Sequence, residues 1–360
     1  MGLLRSIARA RLGSQVIRRL RRAQVSDARY DARTFSVRFT ADGDEVPTVL
    51  PLDGLLADRS GGRRERRARI GRFVAGYVTS PGLPAEWRQA CPLLRPVLRG
   101  STPPVANGIT APLRRPALPY LAEFVVVDLP DTMTYVSPDQ LAEWGVDADQ
   151  VFQAARNNLS GAVLQGVADE PVVVQFMDDG DAYWTSHLLL DGWLSRLAGQ
   201  VGGVPVAFAP ERGTLVVTAD GSAHLPGLFA RAEQVYVSSP RAITPMGYVS
   251  DEHGHTVPYA APEGHPLHRC VQRAEALLAA MEYTRQAEAL GKEAAEVLVV
   301  GSEAEGWRTR AVWSRDQPVL LPRVDEVLVG ATVTPWAGLE AYLAPADGLE
   351  PPRWRGDSWP

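Results

Sequence analysis

Lysine is almost missing from this chain of 360 residues: Lys292 stands alone, and arginine carries the rest of the side-chain ammonium-type charge. The imbalance reads as genome composition, of the kind seen in GC-rich bacteria, and carries no information about activity. Cysteine is nearly as scarce. Cys91 and Cys270 are far apart, so they do not make the disulfide framework of a small secreted domain. They fit a reducing compartment, the cytoplasm, with both thiols as small core residues. No apolar run approaches the ~18 residues that cross a bilayer, so no transmembrane segment is expected.

The standard catalytic signatures are missing too. There is no Gly-Lys-Ser/Thr phosphate loop, no His-Glu-x-x-His, no Gly-x-Ser-x-Gly and no Cys-x-x-Cys. Their absence lowers the case for an enzyme without removing it, and no cofactor is implied.

What is present is a charge split. Residues 1–79 hold 17 arginines against eight acidic side chains, although the whole chain carries a net charge of −5. Such an asymmetry marks an interaction surface or a basic unit docked on an acidic neighbour. Residues 1–24 have no acidic side chain. Leu12, Val16, Ile17 and Leu20 continue a three- and four-residue spacing begun at Leu3, Leu4, Ile7 and Ala8. This is the apolar stripe of an amphipathic helix, with arginine over much of the remainder. Arginines interrupt any secretory h-region. The helix either covers the sheet that follows, which is the favoured reading, or lies on an anionic membrane surface.

Coarse patterning predicts an α+β protein with mixed and antiparallel sheets, covering helices, and a small C-terminal helix-and-strand extension. Strands are expected over 34–40 and 46–52, with an Asp-Gly turn between them. A helix follows over 63–77, opening on a dense basic cluster. Further strands are expected over 92–99, 121–128, 133–136, 204–209, 214–218, 242–249 and 256–260. Residues 172–176 read as a buried strand. Ser137-Pro138 and Asp147 start two helices, the second reaching about Asn158. Asp181 is expected to cap a third, reaching about Leu197, and residues 225–234 are also helical. A long Ala-rich helix over 267–290 precedes strands over 296–300, 308–313, 319–321 and 324–333. Residues 345–360, rich in Pro, Gly and Trp, read as extended or disordered. The expected units are 1–90, 91–263, 264–344 and the tail 345–360.

The order of these elements carries a resemblance. A basic helix precedes a hairpin ending at Leu52, then the strand Pro92-Leu93-Leu94-Arg95-Pro96-Val97-Leu98-Arg99. Paired strands around Asp128-Leu129, the helix ending Asn157-Asn158-Leu159, Asp179-Gly180 ahead of Ser186 and Leu188-Leu189, and Ala242-Ile243-Thr244 follow. Over roughly residues 10–262 this resembles the YtpQ-like family of uncharacterised bacterial proteins. The chain departs from that pattern by two extra residues between Gly180 and Ser186 and by everything after about His265. The resemblance implies a cytoplasmic α+β protein and leaves the chemistry open.

Two clusters could carry chemistry. His253, His255, His265 and His268 lie close in sequence, and neutral imidazoles suit Zn²⁺. A solvated hairpin tip explains His253 and His255 as well. Asp178, Asp179 and Asp181 could hold a hard cation or transfer protons. A turn and a helix cap explain these aspartates without a ligand. Ser186 and His187 are sequence neighbours, so on a helix they point about 100° apart and make no nucleophile–base pair.

The leading expectation is a non-enzymatic interaction protein. Its basic surface comprises Arg18, Arg19, Arg21, Arg22, Arg63, Arg64, Arg66 and Arg67, and meets an acidic protein partner. A metal-dependent hydrolase using the histidines or the aspartates is the alternative, and peripheral membrane association through residues 1–24 is another. Nucleic acid is disfavoured, because residues 1–24 and 63–69 contain no aromatic side chain to stack on bases.

Overall fold

The structure, a computed structural model, describes residues 2–22, 25, 27–39, 48–52, 55, 70, 71, 74, 83–102, 111–129, 132–163, 165–177 and 182–360. The chain is α+β, with several mostly antiparallel sheets and covering helices.

The first helix, α1 (Gly2–Arg22), lies on a three-stranded antiparallel sheet of β1 (Arg29–Asp31), β2 (Ser36–Phe39) and β3 (Thr48–Pro51). The stripe does what its spacing demands. Leu12, Val16 and Leu20 are fully buried against Phe35, Val37, Phe39 and Leu50. Each such side chain contributes about 1.5–3 kcal/mol. The approach is close: a Cβ added at Gly13 would meet the Tyr30 ring at 2.5 Å, so only glycine fits there. Of the expected helix over 63–77, residues 70, 71 and 74 are described. Ile70 and Val74 complete this core, and the expected turn at 41–44 lies outside the described residues.

The second sheet is built on β6 (Leu121–Leu129), with β4 (Leu94–Gly100) along one edge. Along the other edge β5 (Arg114–Leu118) and β7 (Thr132–Tyr135) pair with successive halves of β6. Residues 121–127 of β6 are all buried because both faces are covered. Val125 and Val127 face α2 (Pro138–Trp144) and α3 (Ala148–Asn157), while Phe124 and Val126 face the opposite layer. Asp147 starts α3 with a reciprocal capping box, its Oδ1 accepting from Gln150 N–H at 2.8 Å. Glu123 alternates onto the α3 face and is fully buried there. Arg156 of α3 grips both its oxygens, at 2.9 and 2.8 Å, and Arg115 of β5 adds a third bond at 2.7 Å.

A third, fully antiparallel sheet runs in the order β12 (Thr256–Pro258), β11 (Gly247–Ser250), β9 (Pro205–Glu211), β10 (Thr214–Ala219), β8 (Val174–Met177). The expected buried strand at 172–176 is instead the edge strand β8, with only Phe176 fully buried. Helix α4 (Leu225–Ser238) covers β9, with Phe229 edge-on to Phe208 at 4.9 Å. The expected helix from Asp181 to Leu197 does not form as one element. Tyr183 takes a left-handed backbone, φ 51°, and Gly192 another, φ 70°. Between and after them the chain makes tight turns at Trp184–Leu189 and Ser195–Leu197. Residues 185–189 are all buried, so no polar face exists for an amphipathic helix.

The long helix α5 (His268–Leu290) serves two cores. Val271, Ala274 and Leu278 belong to the central one, and Ala280 and Tyr283 to the C-terminal one. Against it lies a sheet ordered β13 (Val297–Ser302), β14 (Gly306–Trp313), β16 (Glu326–Val329), β17 (Thr332–Pro335), in which β14 and β16 run parallel. The single strand expected over 324–333 breaks at Gly330 (φ 59°) into the β16–β17 hairpin.

Of the two readings of 345–360, extended or disordered, the structure shows the extended one for residues 353–356. β19 (Arg353–Gly356) lies between β15 (Val319–Pro322) and β18 (Ala344–Ala346) in a three-stranded sheet. The reason is Arg353, fully buried without a carboxylate. It donates to Gln286 Oε1 (2.5 Å), Tyr283 O (2.9 Å), Leu320 O (2.8 Å) and Ala295 O (3.1 Å). Its guanidinium also lies 5.1 Å from the Tyr283 ring centroid. Burial lowers its pKa to about 10. Low complexity concealed this order, because one cation with four fixed acceptors outweighs the composition around it. Both cysteines are free and half-buried, not core as expected.

Arg353→Met should cost about 3 kcal/mol or more in denaturant unfolding, because it removes four buried hydrogen bonds and leaves Gln286 Oε1 without this donor. Arg353→Lys should not restore it, since three donors on a compact head cannot match the fork. A lysine variant as stable as the wild type would contradict this account.

Candidate functional site

The α1 surface carries the first group of arginines expected to bind a partner. Arg11, Arg18, Arg21 and Arg22 are exposed, and Arg19 is half-buried. At helical spacing Arg11, Arg18 and Arg22 fall within about 40° of one line and span about 16 Å. Arg18 Nε donates to Ser14 O at 3.3 Å. Among the described residues none of Arg11, Arg18, Arg21 and Arg22 forms an ion pair. Gln15, Arg18, Arg19, Arg22 and Ile70 line a hollow of about 330 Å³. The second half of the expected surface, Arg63, Arg64, Arg66 and Arg67, lies outside the described residues, as do Asp178, Asp179 and Asp181.

The histidines are not brought together as ligands. Asp251 organises a hairpin tip, its Oδ1 accepting from the N–H groups of His253 (3.0 Å) and His255 (2.8 Å). The two imidazoles stand 6.1 Å apart between centroids. His265 Nδ1 accepts from Leu267 N–H at 3.1 Å, and His268 Nδ1–H donates to Ala261 O at 2.7 Å. Both rings thus help start α5. Among the described residues no three His, Cys, Asp or Glu side chains are grouped to hold a metal.

His187 is a core residue. It is fully buried between Trp184 and Trp193, with 5.0 Å between ring centroids on each side. Its Nδ1–H donates to Tyr183 O at 3.2 Å, and Ser186 beside it is also buried.

One cleft was not legible from local motifs. About 370 Å³ in volume, it opens between the central body, α5 and the C-terminal sheet, with Tyr120, Met246, Glu275, Trp307, Arg323 and Asp325 on its walls. Asp325 Oδ2 accepts from Thr309 N–H (2.7 Å) and Thr309 Oγ1–H (2.8 Å). Withdrawal from water and the nearby Asp325 charge raise the Glu275 carboxyl above its usual value. Tyr120 adopts φ 61°, and its ring meets Tyr283 edge-on at 5.7 Å. Arg323 is committed to Glu340 at 2.8 Å. The walls offer polarity and two carboxylates but no nucleophile paired with a base, so the arrangement supports binding more than reaction. Its residues come from segments more than 100 positions apart, which is why no sequence window contains it.

Comparison with known proteins supplies no family: no protein-family profile, no curated protein and no solved structure matches the chain.

Burial lowers the His187 pKa from its usual 6.5. Below about pH 6.5 the unfolded chain therefore takes up a proton that the folded chain does not, and folding weakens. The melting-temperature advantage of wild type over His187→Gln should shrink from about pH 7.5 to about 5.5. A constant difference would show that burial does not perturb this imidazole.

Proposed function

We propose that this protein is a non-enzymatic interaction module of the cytoplasm, similar in order of elements to the YtpQ-like bacterial proteins. It meets an acidic protein partner through the basic face of α1. The carrying observation is the row of exposed arginines Arg11, Arg18, Arg21 and Arg22, which has no carboxylate answering it among the described residues. Arg18 and Arg22 frame the hollow beside Ile70, where an acidic side chain would meet two guanidinium groups at once. Arg63, Arg64, Arg66 and Arg67 extend the same reading by charge alone.

Burial of Leu12, Val16 and Leu20 bears on the rival surface. A helix that spends Leu12, Val16 and Leu20 on its own sheet has charge left for a partner but does not offer those three side chains to a bilayer. This favours a protein over a membrane. Metal-dependent hydrolysis has no grouped ligands among the described residues to favour it.

A pull-down from the native host with quantitative mass spectrometry should recover a stoichiometric partner with the wild type. Arg18, Arg21 and Arg22 replaced together by glutamine should lose it, and the wild-type complex should weaken steeply with added salt. Stability should hardly change, because these side chains are exposed. A partner retained by the triple variant, or bound independently of salt, would overturn the reading.

A further inference from the structure

Four arginines from separate parts of the chain converge at one end of the central body. Arg99 stands near the end of β4, Arg212 in the β9–β10 turn, Arg241 just after α4, and Arg285 on α5. Backbone contacts hold them together. Arg212 N–H donates to Arg241 O at 3.1 Å, and Glu211 bridges to Ala242, so the turn and the segment after α4 form one surface. Glu282 on α5 receives Thr102 N–H at 3.4 Å, just beyond β4, and pairs with Arg285. Tyr135, ending β7, lies beside Arg99 and within electrostatic reach of Arg212.

The charges do not balance. Glu282 answers Arg285. Among the described residues no carboxylate forms an ion pair with Arg99, Arg212 or Arg241. Glu211 adjoins Arg212 in sequence, but its Oε1 is turned back to Gly213 N–H (3.0 Å) and Thr214 Oγ1 (2.9 Å). Arg99 Nη1 donates to the Leu98 carbonyl at 2.7 Å, and its side chain also hydrogen-bonds Tyr135. The Nε atoms of both Arg99 and Arg212 are buried with no acceptor. Burial, and then the charge of Arg212, lower the Arg99 pKa to about 10. Burial lowers Arg212 likewise, with Arg241 and Arg285 adding to it.

Buried guanidinium groups normally find acceptors, and like charges normally avoid one another. Here the two half-buried side chains Arg99 and Arg212 each keep a buried Nε without an acceptor, and like charges gather at one place, delivered by four different elements. An oxyanion would repair both at once. We propose that Arg99, Arg212 and Arg241, with the Tyr135 hydroxyl, form a binding site for a phosphate group. Three guanidinium forks carried by separate elements suit a tetrahedral dianion, which presents several acceptor oxygens; a carboxylate fills one fork. Arg241, the exposed member, stands on the solvent side of the group. The site is separate from the α1 face and does not rest on it.

The test is calorimetric titration of the full chain with inorganic phosphate at constant ionic strength, with chloride as the comparison anion. Wild type should bind phosphate and not chloride. Arg212→Gln and Arg241→Gln should each weaken binding about tenfold or more. Without phosphate, Arg212→Gln should melt no lower than wild type, because it removes repulsion rather than an ion pair. Arg18→Gln/Arg22→Gln on α1 should bind phosphate as wild type does. Unchanged phosphate affinity in Arg241→Gln, or equal responses of wild type to phosphate and chloride, would overturn the proposal. The exposed Arg241 keeps the test decisive even if the half-buried Arg212 variant fails to fold.

Discussion

A cation without a counterion holds the C-terminal third of the molecule together. Arg353 brings its guanidinium into a site where helix α5, the start of the C-terminal sheet and β15 each offer it an oxygen. Carbonyl dipoles fix position as well as charge, since each acceptor must lie where one N–H points. Neighbouring bonds lean on the same geometry: Gln286 Nε2 donates to Pro351 O at 2.6 Å and Tyr283 Oη to Pro352 O at 3.0 Å. The tail therefore enters the core on a set of directed bonds rather than on greasy contact alone. Because α5 also packs on the central body through Val271 and Leu278, those bonds indirectly set the cleft between the two.

Arginine plays three different parts in this one chain. Some partner buried or half-buried carboxylates: Arg115 and Arg156 on Glu123, Arg273 on Glu233, Arg310 on Glu326. One, Arg353, is satisfied by neutral oxygens. The third group, Arg11, Arg18, Arg21 and Arg22 on α1 with Arg99, Arg212 and Arg241, forms no ion pair among the described residues. A structural cation needs its partner inside the fold. A cation with no carboxylate partner among the described residues has the property expected of groups kept for something outside the fold. With nearly all the basic charge on one residue type, composition could not separate these roles; position does.

Much of the secondary structure was legible because its signals are local. The α1 stripe, the capping box at Asp147, the apolar run of β6 and the β9–β10 hairpin each depend on neighbours within a few positions. The errors fall where distant residues decide. Residues 185–189 read as helix until the burial of every one of them removes the amphipathic face. Residues 345–360 read as extended or disordered, and the choice is made by one arginine that finds four acceptors. The sites follow the same division. A row of arginines on α1 is visible as a run in sequence, and Arg11, Arg18 and Arg22 among them fall near one line of the helix. The cleft of Glu275 and Asp325, and the meeting of Arg99, Arg212 and Arg241, join residues from remote segments, and no window of sequence holds them.

The placement of β19 also constrains the order in which the chain can acquire its shape. β19 is the middle strand of its sheet, between β15 and β18, although it comes last along the chain. During synthesis β15 and β18 therefore emerge with no strand to join them, and their unpaired edges wait until residues 353–356 have been made. Helix α5 waits as well, its Gln286 and Tyr283 acceptors open to water in the meantime. The N-terminal sheet, closed by residues 12–74, has no such dependence. Vectorial synthesis can thus complete one end of the molecule early, while the other stays exposed to chaperones and to mispairing until late in translation.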